Sequence, residues 1–257
     1  MRKAVLLGAF AVVLPAPLQA QRQKTGLVIQ SWKYDPETKH LALKLVNLSG
    51  KSIIAYNISD SDGSTDLYGR PKSPGAHLED SLGVLINAQM SGKELPTDRP
   101  NGPLAGGATR SLILGAKDIS VKAVVDLVVY ADATAEVLNE HAFSQIVAMR
   151  KGHLIAMQRV SKVIKQVLAD PTTTNPGAAA VEGLRQELVE SEKHNNPEVS
   201  EGNQTVALQS AVADLERSQW KYLRVAERDY LKQYVENMDK RITLTAPHCQ
   251  LQRVNIP

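Results

Sequence analysis

The sequence predicts an α+β protein: an antiparallel β-sandwich, then an antiparallel α-helical hairpin or three-helix segment. Two observations carry this. From Thr25 to about Val137, apolar residues recur at every second position between clusters of turn-forming residues. From about Asn139 to Ile242 they recur at every third or fourth position. The change of period near position 138 divides the chain into a sandwich (21–137), a helical part (138–242) and a tail (243–257).

The chain opens on a different pattern. Arg2 and Lys3 precede an apolar run from Ala4 to Leu14, then Pro15, Pro17 and a small-residue site after Ala20. This is the layout of a secretory signal peptide, residues 1–20. The run is too short to span a hydrocarbon core, which needs about 20 residues. No later segment is apolar enough to span. An exported protein, periplasmic or extracellular, without stable membrane insertion after cleavage, is expected. Loss of Arg2 and Lys3 lowers the formal charge of +3 by two, to near neutrality. Net charge therefore suggests neither nucleic acid nor an acidic membrane as partner. Hydrophobic residues make up 43% but aromatics only 4%, so the core should be aliphatic. Cys249 is the only cysteine, so no disulfide can form within the chain.

The first strand is "GLVIQSWKY", with Val28, Trp32 and Tyr34 on one face and Leu27 and Ile29 on the other. "DPETK" turns the chain, since Pro36 presets φ and Asp35 can bond the local backbone. "HLALKLVN" sets Leu41, Leu43 and Leu45 against Lys44, the signature of a half-buried antiparallel strand. "NLSGK" is the next turn and "SIIAYNIS" the third strand. A polar region rich in Gly and Pro runs from Asp60 to Arg110; within it "LGVLINA" (82–88) is either a strand or a short helix. "RSLIL" and "VKAVVDLVVYADA" are the last strands, the latter central because it is the most apolar.

The first helix carries the stripe Phe143, Ile146, Val147, Leu154, Met157, Val160, Ile164 and Val167. Gly152 lies within it, at a cost of about 1 kcal/mol relative to Ala and with room for a kink. Arg150, Lys151, Arg159, Lys162 and Lys165 read as its solvated face. Asp170-Pro171 ends it. Asn175 and Pro176 start a second helix with the stripe Val181, Leu184 and Leu188. A third is expected from about Thr205 to Lys240, roughly 50 Å long at about 1.5 Å per residue. A helix of that length should pack against the first helix or another subunit.

Candidate chemistry is sparse. Asp60, Asp62, Ser64 and Asp66 stand at alternate positions along "DSDGSTD", a spacing that could bring the oxygens of Asp60, Asp62 and Asp66 to one calcium ion. The EF-hand pattern fails, however, because Gly63 is fourth rather than sixth; a solvated turn explains the stretch as well. HExxH is absent, and His248 with Cys249 do not make a zinc site without further ligands. "GPLAGGATRS" lacks the phosphate-binding glycine patterns and precedes a strand. No cofactor and no catalytic residue is assigned. Asn47, Asn57 and Asn203 head glycosylation sequons that matter only in a glycosylating host.

Asn47, Ser49, Lys51 and Ile53, then Gly102 to Gly106, then Asp126 through Glu136, together resemble exported bacterial proteins that carry an immunoglobulin-like module of the FxLYD type. The resemblance spans roughly residues 41–150, without the FxLYD string itself, and Ala133 stands where a turn glycine is expected. It implies an immunoglobulin-like sandwich and brings no catalytic residues. The expected function is a non-enzymatic binding or assembly module of the cell envelope, with a protein partner or a second copy held through the long helices. A hydrolase with its site in the 60–110 region against the helices, and a calcium-stabilised structural module, are the alternatives.

Overall fold

The computed structural model describes residues 25–61, 77–97, 99, 102–115, 122–193, 201–217 and 225–254. It is an α+β structure. Its first part runs β1 (Leu27–Asp35), β2 (His40–Asn47), β3 (Ile53–Ser61), β4 (His77–Asp80), α1 (Leu82–Ser91), β5 (Thr109–Gly115), β6 (Lys122–Tyr130) and β7 (Thr134–Val137). The second runs α2 (Glu140–Ala169), α3 (Pro176–Lys193), α4 (Glu201–Glu216), α5 (Glu227–Thr245), a 3-10 turn (Ala246–Cys249) and β8 (Gln252–Arg253). The period change at position 138 therefore coincides with the passage from β7 to α2. The short stretch 82–88 belongs to a helix.

The strands form two sheets, of order β1-β2-β5 and β4-β3-β6-β7-β8. All pairings are antiparallel except β7 with β8. One apolar cluster draws Leu27, Leu41, Leu43, Leu45 and Leu114 from the first sheet and Ile53, Tyr56, Ile58, Val125, Val128 and Tyr130 from the second. The alternation expected for β2 holds. That for β1 does not, because the register slips between Ile29 and Ser31. A bulge adds one residue and reverses the side-chain phase beyond it. Ile29 and Trp32 consequently oppose Leu45 and Leu43, on the same face as Leu27 and Tyr34.

The larger sheet is covered on its other face as well. Ile54, Ala55, Leu127, Val129 and Ala135 pack with Leu82, Leu85 and Ile86 of α1 and with Ala142 and Ile146 at the start of α2. Burial on both faces is why β6, and β3 from Ile53 to Tyr56, read as nearly unbroken apolar runs. The helices thus dock on the sheet directly.

Further along, α2 runs unbroken through Gly152 to Ala169 and joins α3, α4 and α5 in a separate core of Val160, Ile164, Leu184, Leu208, Leu215 and Leu231. The helix expected from Thr205 to Lys240 does not run through: α4 ends at Glu216, and α5 starts after Ala226, whose backbone is extended (φ −64°, ψ 140°). Residues 243–254, expected as a tail, complete α5, make the 3-10 turn and add β8 beside β7.

The two short motifs behind the family resemblance meet in space. Asn47 is fully buried; its Nδ2 donates to the carbonyls of Lys51, Leu104 and Ala105 at 2.7, 2.9 and 3.0 Å. Its Oδ1 accepts from the amide and hydroxyl of Ser49. Gly106 lies against Gly50, and a Cβ added there would stand 2.8 Å from the Gly50 carbonyl carbon. Asn57 is buried too and donates to Asp126. Neither of these two sequon asparagines presents its amide to solvent.

Ala133 holds φ at 62° in the β6–β7 turn, the left-handed conformation that a side chain disfavours. Asp132 fixes it by accepting from the amide and hydroxyl of Thr134 and by pairing with Lys51 at 2.7 Å. Ala133→Gly should relieve the strain and stabilise the fold by about 0.5–1 kcal/mol, read as a higher midpoint in urea with an unchanged m-value.

Candidate functional site

Most of the buried polar groups serve the scaffold. Asp126 sits in β6 opposite a second register slip, between Asn57 and Ile58. Its carboxylate accepts from Asn57, Ser59 and Asn139, and its carbonyl accepts from the amides of Leu138 and Asn139. Asn139 in turn caps α2 by accepting from His141 and Ala142. Asp126 therefore ties the central strand to the first turn of the helix. Between the sheets Arg110 donates to Glu79 at 2.7 Å and to the Gly102 carbonyl, while the Tyr56 hydroxyl donates to Glu79 at 2.5 Å.

One set of polar groups faces a cavity instead. A space of about 710 Å³ lies where the end of β4 and α1 meet α2, α4 and α5. That volume is within the range of small-molecule sites. Its walls are mainly apolar: Leu82 and Ile86 from α1, Met149, Met157 and Val160 from α2, Val206, Ala207 and Ala211 from α4, Tyr234 and Met238 from α5. Asp80, Arg150, His153, Arg241, Asp214 and Asn237 add polar groups.

Arg150 and Asp80, the pair taken here as its floor, are joined to each other. Nε and Nη2 of Arg150 meet the two Asp80 oxygens at 3.0 and 2.8 Å, and Nη1 donates to the His248 carbonyl at 3.3 Å. Only 2% of the Arg150 side chain is exposed, so it does not belong to the solvated basic face expected from the sequence. It stands four residues after Ile146 and seven before Met157, in phase with the buried stripe, and that phase was the available signal. Asp80 Oδ1 also accepts from the Leu82 amide, which starts α1.

Arg241 donates to Asn87 Oδ1 at 2.7 Å and has no carboxylate partner among the described residues. Asp214 has only Arg217, at 4.0 Å, as an ion-pair partner among the described residues. Burial, together with the Asp214 charge, pushes the Tyr234 phenol up to about 12. His248 and Cys249 are buried beside the floor, and burial raises the Cys249 thiol to about 11, which keeps it protonated and unreactive.

Comparison with protein-family models, curated proteins and solved structures finds no match to this chain.

Among the sequence candidates, Asp60 pairs with Ala123 at the end of the β3–β6 ladder, while Asp62 and Asp66 lie outside the described residues. No group of three or more His, Cys, Asp or Glu suited to a metal occurs among the described residues. None of the described helices is long and apolar enough to cross a membrane. A second concavity, of about 530 Å³, lies between α2 and α5, but its acid Asp239 is already engaged by Lys165 at 2.8 Å and by Ser161 at 2.6 Å.

Burial first, and then the Arg241 charge, lower the His153 pKa from its ordinary 6.5. Burial and Arg150 do the same for His248. Both bind a proton less readily folded than unfolded, so the stability this represents is whole above about pH 6.5 and is lost as the pH falls through the folded values. Urea unfolding from about pH 8 to about pH 5 should show that decline, and His153→Gln should reduce its slope.

Proposed function

We propose that this chain is an exported, non-enzymatic binding module, an immunoglobulin-like sandwich with helices docked on one sheet, whose ligand site is the cavity among the helices. The observation that carries the reading is the cavity: a large, mainly apolar-walled space with a few polar groups in its lining. The apolar cluster shared by the two sheets supports the sandwich. The stripes that suggested contact with a partner through the helices are used within the chain, because Leu208, Val212, Leu215, Leu231 and Val235 pack on α2 and α3. Binding is therefore assigned to the space between the helices rather than to their outer surface.

The test uses the uncharged fluorophore N-phenylnaphthylamine. Saturable binding at a single site per chain is expected. Gly83 lines the cavity and has open space around an added Cβ, so Gly83→Phe should obstruct the site and leave the fold intact. No saturable binding, or binding unchanged in Gly83→Phe, would reject the proposal.

A hydrolase has one observation in its favour, since Asp80 and His153 line the same cavity. Against it, Arg150 and the Leu82 amide hold both Asp80 oxygens, and His153 makes no hydrogen bond to a hydroxyl among the described residues. Ser210, also in the lining, donates to the Val206 carbonyl. Turnover of p-nitrophenyl laurate that disappears in His153→Ala would favour the hydrolase.

A further inference from the structure

Resting on the reading of the cavity as a ligand site, the charges within it narrow the ligand. The acid and base at the floor neutralise each other: Arg150 is matched to Asp80 through two parallel hydrogen bonds. Arg241 is different. Its one described partner is the neutral amide oxygen of Asn87, so a full positive charge remains at the end of the cavity formed by α1 and α5. His153 lies near it, with imidazole nitrogens that make no hydrogen bond among the described residues. A guanidinium presents a planar fork of donors, and a carboxylate is the anion whose two oxygens fit that fork. On the α4 side, Asp214 is only loosely paired and would repel an anion, which places the negative end of a ligand at Arg241.

The apolar wall is mainly aliphatic and thioether, with Tyr234 as the one aromatic ring among the described lining residues. Met149, Met157 and Met238 are unbranched and adaptable, and suit a flexible hydrocarbon better than a rigid ring system. One uncompensated positive charge, that of Arg241, calls for a singly charged anionic head. A phosphate monoester, with close to two charges, would leave one of them unmatched beside Asp80 and Asp214.

We infer that the cavity takes an aliphatic monocarboxylate, with its carboxylate on Arg241 and its chain along the methionines. Head-group discrimination between ligands of equal chain length is the signature of this arrangement. Isothermal titration of the full chain with dodecanoate, dodecanol and dodecylamine separates the possibilities. Dodecanoate should bind about tenfold or more tightly than dodecanol, the gain of one charge-assisted hydrogen-bonded contact. Dodecylamine should bind weakest. In Arg241→Gln the preference should collapse while dodecanol binding persists, and Arg241→Lys should restore part of it and guard against a simple folding defect. Equal affinity of acid and alcohol for the unaltered protein, or a preference that survives Arg241→Gln, would overturn the inference and leave the cavity reading standing. Tightest binding by the amine would also overturn it, and would assign the head-group contact to Asp214. Failure of all three ligands to bind would instead reject the cavity reading itself.

Discussion

Replacing Arg150 with methionine should lower the free energy of unfolding by about 3–5 kcal/mol, the cost of breaking a buried ion pair from one side. The volume change is small. What is lost is the counter-charge of Asp80, whose side chain is only 17% exposed and which holds the first amide of α1. The same guanidinium reaches the His248 carbonyl, so the substitution also frees the turn that leads into β8. For a chain of this size the midpoint of thermal unfolding should fall by roughly 6–20 °C. Asp80→Asn added to Arg150→Met should recover part of the loss, because it removes the stranded charge and keeps an acceptor for Leu82. Circular dichroism during heating reads both. A fall of less than about 1 kcal/mol would mean that β4, α1 and α2 are not held together by this pair.

The second large effect is expected at Asn47. One amide group reaches three carbonyls on two segments that are distant in sequence. Asn47→Ala removes three hydrogen bonds while each carbonyl keeps a second donor, from Ser49, Ile53 and Ala108, and should cost about 2–4 kcal/mol, at about 0.5–1.5 kcal/mol for each bond lost. Asn47→Asp keeps the acceptor that Ser49 uses but loses the donor, and should be no better. Hydrogen exchange gives the local reading. The amides of Ile53 and Leu104, which bond across to each other's carbonyls, should lose protection before the rest of the sheet.

Much of this architecture was legible because it follows from periodicity. The alternation of Leu41, Leu43 and Leu45, the capped start of α2 at Asn139 and the Asp170 end are local signals, and local signals survive folding. What was hidden depends on pairing or on tertiary contact. A bulge such as that between Ile29 and Ser31 has no residue signature here, yet it reverses every side chain after it. The division between α4 and α5 carries no glycine or proline anywhere from residue 203 to 246, so nothing in the sequence punctuates it. β8 is two residues long and exists only because β7 offers an edge.

The cavity was the least legible of all. Its lining comes from β4 and four helices spread over residues 80 to 245, and no spacing along the chain brings Asp80 to Arg150 or Asn87 to Arg241. The sequence did place a possible site between the 60–110 region and the helices, and Asp80, Leu82, Gly83 and Ile86 are that region's share of the wall. Its carboxylate is bound up in a structural pair with Arg150.

The account turns on whether the space among the helices receives a ligand, and the methionine methyl groups report on it directly. Met149, Met157 and Met238 line the cavity, whereas Met90, in the last turn of α1, packs against the apolar cluster that α1 shares with the sheet. In a spectrum of methyl-labelled methionine, titration with dodecanol should move the resonances of the first three and leave that of Met90 in place. Movement of Met90 alone, or no movement of any of the four at saturating probe, would contradict the placement of the site.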